Sequence, residues 1–123
     1  MSMADDPRIL LLGAGHASLL AARDLRAGLP RAAITLVDAA SEARYSGMLP
    51  GTIAGHYAPD RMRTDLRGFA ARHGLDFVQG RVCGLDPAAR RVSLSDGRVL
   101  PYDLAALDLG SHAAMPEIPG FDR

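Results

Sequence analysis

The apolar positions of this chain fall into short runs broken by glycine, proline and charge, and their period changes partway along. Residues 8–12, RILLL, are apolar on both faces, which predicts a strand covered on both sides of a sheet. The run stops at Gly13-Ala14-Gly15 and resumes with a helical period over residues 16–27. Leu19, Leu20 and Leu25 lie to one side there, and Arg23, Asp24 and Arg26 to the other. Gly28 stands where a left-handed C-terminal cap is wanted, and Pro30 prevents continuation. Residues 34–37 form a second apolar run ending at Asp38. Strand, helix and strand within about 30 residues make a βαβ unit, whose right-handed crossover sets the two strands parallel.

The next stretch, SEARYSGMLPGTIAGHYAP, carries Gly47, Pro50, Gly51 and Gly55 and too few apolar side chains for a core. It predicts a long functional loop with one short helix over residues 49–54. Thr64 or Asp65 can cap a helix that reaches Arg72 and is stopped by Gly74. Residues 76–78 read as a third strand. From Arg81 the period becomes two: RVCGLD, RRVSLS and RVLPYD alternate, with turn signals at Asp86-Pro87 and Asp96-Gly97, and predict a small antiparallel meander. LAALDLGS reads as a last buried strand, and residues 115–123, MPEIPGFDR, have linker character.

A length of 123 residues fits one domain, and a 48% apolar content fits a folded one. With 14 acidic and 14 basic residues in balance, nothing supports nucleic-acid binding. Asp5 and Asp6 precede only four aliphatics, so the start of the chain predicts neither a signal peptide nor a membrane span. The lone Cys83 leaves no internal disulfide or two-cysteine redox centre within this chain, and in an alternating strand it reads as a small packed hydrophobe. A reducing cytoplasm fits that usage. His16, His56, His73 and His112 form no H-x-x-x-H pair, so no metal site is expected. Arg61, Arg63, Arg67 and Arg72 read as a solvated face.

The chemistry is carried by the turn between the first strand and its helix. In a G-x-G-x-x-G fingerprint the first glycine permits the turn, and the second removes a side chain so that a pyrophosphate can reach the backbone. The helix amides and dipole then receive the negative charge. Gly13 and Gly15 hold those places, and Ser18 stands at the third, where a hydroxyl able to bond back to a carbonyl one turn earlier is tolerated. Asp38 lies about 20 residues beyond Ser18, where a carboxylate accepts both ribose hydroxyls of an adenosine and disfavours a 2′-phosphate. The fingerprint does not separate NAD from FAD. His16 is placed either beside a phosphate or as a half-solvated helix-start residue. LDLGSHA echoes a methyltransferase loop, but His112 and Ala114 fall where its further glycines belong, and that reading is rejected.

YSGMLPG, residues 45–51, and VLPYDLAALDLGS, residues 99–111, together with the ordered set of elements, resemble the pyridine nucleotide-disulfide oxidoreductase family. The nearest branch is the type II NADH dehydrogenase-like flavoproteins, including those fused to selenide, water dikinase. The resemblance implies an α/β, Rossmann-like FAD/NAD(P)-binding domain, a parallel sheet with flanking helices plus the meander. It implies FAD as cofactor and NADH as co-substrate of a longer parent. Carried over residue by residue, Gly13, Ala14, Gly15, His16 and Ser18 match the pyrophosphate loop and Asp38 the ribose acid. Ser46 to Leu49, Met48 included, match the segment lining the ribityl chain and isoalloxazine, although Met48 and Leu49 can equally pack the loop onto the sheet. Val82 matches the position whose backbone meets adenine, and Gly110-Ser111 the small-residue close of the final strand.

Two departures matter. No cysteine pair follows the second strand, which excludes a dithiol relay and leaves direct flavin reoxidation by a quinone or other acceptor. Asp108 stands near the flavin end of the final strand, where Ala-Thr-Gly is usual, and it bears on the acceptor chemistry. Residues 1–123 therefore read as the N-terminal part of an FAD-binding domain, with residues 115–123 leading toward an absent nicotinamide domain. Such a fragment is expected to hold FAD weakly or not at all alone, and the longer parent can sit peripherally on the inner membrane face. No acid or base is evident, so no catalytic residue is named. Two alternatives stand beside this reading: the NAD-binding Rossmann domain of a simple dehydrogenase, and a non-catalytic module that self-associates through an exposed sheet edge.

Overall fold

The structure is a computed structural model that describes residues 6–112 and 114–120; Asp5 and residues 121–123 of the expected linker lie outside them. β1 (Arg8–Leu12) leads into α1 (His16–Gly28), β2 (Ala33–Asp38) and β3 (Glu42–Arg44). A 3-10 turn over Ser46–Met48 opens α2 (Leu49–Ile53), and another over Pro59–Met62 precedes β4 (Arg63–Asp65), α3 (Leu66–His73) and β5 (Asp76–Gln79). β6 (Val82–Asp86), β7 (Arg91–Leu94) and β8 (Val99–Pro101) form the meander, and β9 (Leu104–Leu107) returns to the main sheet.

That sheet has the order β5-β2-β1-β9, and every pairing in it is parallel. Leu11 sits opposite Leu36 on one side and Ala106 on the other. The unbroken apolar run of β1 follows from cover on both faces. Ile9 and Leu11 pack with Ile34 and Leu36 against Ala22 of α1 and Leu66 and Ala70 of α3. Leu10 and Leu12 pack with Val37 against Val92, Leu94 and Tyr102 of the meander region. α3 is capped as the sequence predicts: Asp65 Oδ2 accepts from the Gly68 N–H at 3.2 Å, and Gly74 closes the helix at φ +65°.

Four expectations are corrected. α1 runs through Gly28, and the cap is Leu29 at φ −130°, whose N–H reaches the Leu25 carbonyl at 2.7 Å. Arg26 is not on a solvated face. Its guanidinium donates to the carbonyls of Leu29, Pro30 and Gly74 at 3.3, 2.8 and 2.8 Å, joining the C-terminal ends of α1 and α3 where carbonyls lack helical partners. β9 is not buried: it is the edge of the sheet, and Leu104 and Leu107 are exposed. Cys83 is exposed rather than packed, because the ladder shifts register between Val82 and Gly84 and turns it outward. A short antiparallel ribbon also pairs β3, inside the segment read as loop, with β4 just beyond it.

The starts of β1 and β9 are clamped by one acid. Asp103 accepts from the Arg8 backbone N–H at 2.8 Å and from its guanidinium at 3.2 and 3.1 Å, while the Asp103 N–H donates to the Arg8 carbonyl at 2.9 Å. The Arg8 side-chain hydrogen bonds, then the bond from its backbone, lower the Asp103 pKa to about 2. A carboxylate lowered on folding stabilises above its unfolded value of about 3.9 and loses that contribution as pH falls through the folded value. Acid unfolding of Asp103→Asn is therefore expected to start at higher pH than that of the wild type, with the two stability curves converging from about pH 4 toward about pH 2. Because the pair is solvent-facing, the gap shrinks in high salt. Parallel curves across that window, followed by circular dichroism, contradict the assignment.

Candidate functional site

The strand order sets the C-terminal end of β1 between those of β2 and β9, so the turn after β1 is flanked by Asp38 and Asp108. Gly13 adopts φ +94°, and its N–H donates to the Val37 carbonyl at 2.7 Å. A Cβ there would overlap the Asp108 carbonyl and stand 2.9 Å from the Leu109 Cα, so both conformation and space demand glycine. Gly15, the N-cap of α1, has φ −66° and ψ 169°, open to any residue. It is glycine for space alone, because a Cβ would fall within the Asp108 carboxylate.

α1 has no side-chain cap of its own and no acidic residue in its first turn. Two acids at the ends of the neighbouring strands reach this region, Asp38 at the turn and Asp108 at the first turn of the helix. Asp38 Oδ2 accepts from the Ala14 N–H at 2.8 Å, and its Oδ1 from the Ala40 N–H at 2.8 Å. Asp108 Oδ2 accepts from the Ser18 N–H at 3.1 Å. Among the described residues, the amides of Gly15, His16 and Ala17 have no hydrogen-bond partner. Three unpaired donors at the positive end of a 13-residue helix form a surface that attracts an anion. The space that the sequence reading leaves bare over Gly15 is covered by the Asp108 carboxylate.

Beside this turn lies a cavity of about 700 Å³. Five of the residues picked out from the sequence meet there: Ala14, Gly15, His16, Ser46 and Met48. The His16 and Tyr45 rings stack across it, with centroids 4.7 Å apart and planes 18° from parallel. Arg23, Arg44, Arg61 and Arg72 line the rest with Leu19, Leu20 and Phe69, and no carboxylate is among the lining residues. Arg61 and Arg72 are exposed, as expected of a solvated face, and also border the candidate site.

The other predicted residues sit apart from the cavity. Ser18 is buried under the helix end, and among the described residues its hydroxyl makes no bond back to a carbonyl. Gly13 and Asp38 stand behind the turn. Val82 packs its side chain into the meander core opposite Leu94. Gly110 lies beyond β9 at φ +74°, with open space where a Cβ would be. Sequence reasoning flagged Asp108 as a departure but not its hold on Ser18, and it missed Tyr45. Among the described residues no His, Cys, Asp and Glu cluster of three could hold a metal, and no helix is long and apolar enough to cross a membrane.

The NADH-dependent phenylglyoxylate dehydrogenase subunit epsilon of Aromatoleum evansii is 29% identical over 117 residues, 94% of this chain and 28% of that protein. In structure the chain is similar to a water-forming NADH oxidase from Lactobacillus brevis, with a TM-score of 0.82 at 21% identity over 96% of this chain and 28% of that one. It is also similar to the sulfide:quinone oxidoreductase of Aquifex aeolicus, with a TM-score of 0.81 at 19% identity over 88% of this chain and 25% of that one. The chain thus spans between a quarter and a third of these relatives. The family profile described as pyridine nucleotide-disulphide oxidoreductase matches residues 7–123, which takes in the glycine turn, both flanking acids and the meander. On that match, this chain belongs to the pyridine nucleotide-disulphide oxidoreductase family.

Proposed function

We propose that this chain holds the adenosine diphosphate end of FAD within a longer oxidoreductase, in which NADH reduces the flavin and electrons leave to a quinone or another acceptor. The observation carrying this reading is the set of unpartnered amides on Gly15, His16 and Ala17, beside a carboxylate at the end of the adjacent strand. The relatives support the redox class through their names: one is NADH-dependent, one is an NADH oxidase and one a quinone oxidoreductase. FAD, when bound, supplies the electron-transfer chemistry, and the protein supplies binding and orientation.

In this reading the three amides receive the diphosphate. Each Asp38 oxygen already accepts one backbone N–H and keeps a lone pair for a ribose hydroxyl. The cavity walled by the His16–Tyr45 stack, Ser46 and Met48 takes the remainder of the cofactor, with its arginines offsetting the phosphate charge. Val82 and Gly110 keep the adenine-side and strand-end roles that the family resemblance implies, and the compartment is the cytoplasm.

Calorimetric titration with ADP, 5′-AMP, 2′,5′-ADP and FAD tests this. ADP is expected to bind, 2′,5′-ADP to bind more weakly than 5′-AMP, from which it differs only by the 2′-phosphate, and FAD to bind no tighter than about micromolar, since the chain spans only part of its relatives. Asp38→Ala is expected to weaken ADP binding about tenfold or more. Equal affinity for 5′-AMP and 2′,5′-ADP removes the ribose role of Asp38, and silence with both ADP and FAD at millimolar concentration overturns the whole reading.

A further inference from the structure

The donors at the glycine turn fit a diphosphate, but the space over Gly15 does not stand open to one. Asp108 reaches across from the end of β9 and lays its carboxylate there, with Oδ2 on the Ser18 N–H at 3.1 Å. This acid places a negative charge where a bound diphosphate would sit, bonding Ser18 while the amides of Gly15, His16 and Ala17 stay free. It supplies the negative charge that α1 lacks, the helix having neither a capping side chain nor an acidic residue in its first turn.

We propose that Asp108 is an internal anion that occupies the diphosphate end of the site in the free chain and must swing aside for a dinucleotide to bind, so that this residue sets cofactor affinity. The inference rests on the dinucleotide reading above. Two like charges within a few ångströms at one helix end repel, so carboxylate and diphosphate exclude each other. The swing requires no unfolding. The Asp108 N–H stays on the Leu12 carbonyl at 2.8 Å, which holds the backbone in the sheet, and a side-chain rotation removes the carboxylate. Beyond it the chain passes to Gly110 at φ +74° with open space around it, which leaves room on that side.

The test pairs two readouts that move in opposite directions. ADP is titrated into the wild type, Asp108→Asn and Asp108→Ala, and the ligand-free melting temperature of each is measured. Both variants are expected to bind ADP about tenfold or more tighter, because a repelling charge is gone. The Ala variant is expected to melt roughly 2–5 °C lower without ligand, because a helix cap is gone. A residue that only shaped the turn would weaken binding as it lowered stability. Should both variants fail to fold, the Ser18 amide resonance of the wild-type chain decides: ADP must shift it as the carboxylate leaves, and a fixed resonance in the presence of bound ADP overturns the proposal. If the wild type binds ADP and folded variants bind it no tighter, this inference falls and the dinucleotide reading stands. If no form binds ADP or FAD at millimolar concentration, both fall together.

Discussion

Gly13→Ala is expected to cost at least about 3 kcal/mol of folding stability, a large fraction of the roughly 5–15 kcal/mol that holds a domain folded. Two penalties add. An alanine at φ +94° bears the left-handed strain that glycine escapes, of order 1–2 kcal/mol. Its methyl would also meet the Asp108 carbonyl and the Leu109 Cα, which are backbone and cannot rotate out of the way. The only relief is to push β9 off β1, and that breaks the Asp108 N–H bond to Leu12 and exposes Leu12 on the meander face. Gly28→Ala is the matched control. Gly28 lies inside α1 with open space where its Cβ would go and is not among the glycines at positive φ, so alanine should stabilise by about 0.5–1 kcal/mol. Urea unfolding of the two variants reads the contrast, and a Gly13→Ala midpoint near the wild type would show that the turn is looser than its geometry states.

Gly13 also marks how far the sequence speaks for itself. The first glycine of the fingerprint is legible as a tight turn, since the break after RILLL admits few other backbones. What the glycine clears space for is not. Asp108 lies 90 residues from Ser18, and no local pattern says that a final strand will return beside the first and place its carbonyl over Gly13. The same limit explains β9. An apolar run such as LAAL reads as doubly covered, but whether a strand is central or at an edge depends on the other strands, and here the outer side of β9 has no neighbour among the described residues.

Elements decided by near neighbours come through cleanly. The caps of α3 are such elements, with Asp65 and Gly74 acting within one turn of the helix they bound. The meander is another, because alternation and short turn signals encode a hairpin locally. Arg26 fails for the opposite reason: helical spacing placed it outward, yet its length carries the guanidinium over two helix ends at once. The β3–β4 ribbon has strands too short to carry a period. For the site, the glycine turn, Asp38 and the Ser46–Met48 segment were legible as parts. The arginines around the cavity were not, because nothing in an arginine's neighbours distinguishes a cavity wall from a solvated face.

The scaffold under that site is most exposed to failure at Leu11. Leu11→Ala is expected to cost about 3–5 kcal/mol, measured by urea or thermal unfolding. Leu11 is fully buried at the centre of the parallel sheet, between Leu36 and Ala106, under the helices. Part of its surroundings is already small: Ala14, Ala22, Ala32 and Ala70 belong to the same cluster, and an alanine cannot extend to fill the space that leucine leaves. The cavity therefore persists, and its cost adds to the lost burial. Leu107→Ala sets the scale, because Leu107 sits on β9 with 58% of its surface exposed, so its truncation should cost under about 1 kcal/mol. The consequence reaches the site through the strand itself. Leu11 is two residues before Gly13, and loosening β1 there frees the turn that aligns the amides of Gly15, His16 and Ala17. ADP affinity is then expected to fall along with stability in Leu11→Ala while staying unchanged in Leu107→Ala. A Leu11→Ala chain as stable as the wild type would mean that the two faces of the sheet do not share one cooperative core.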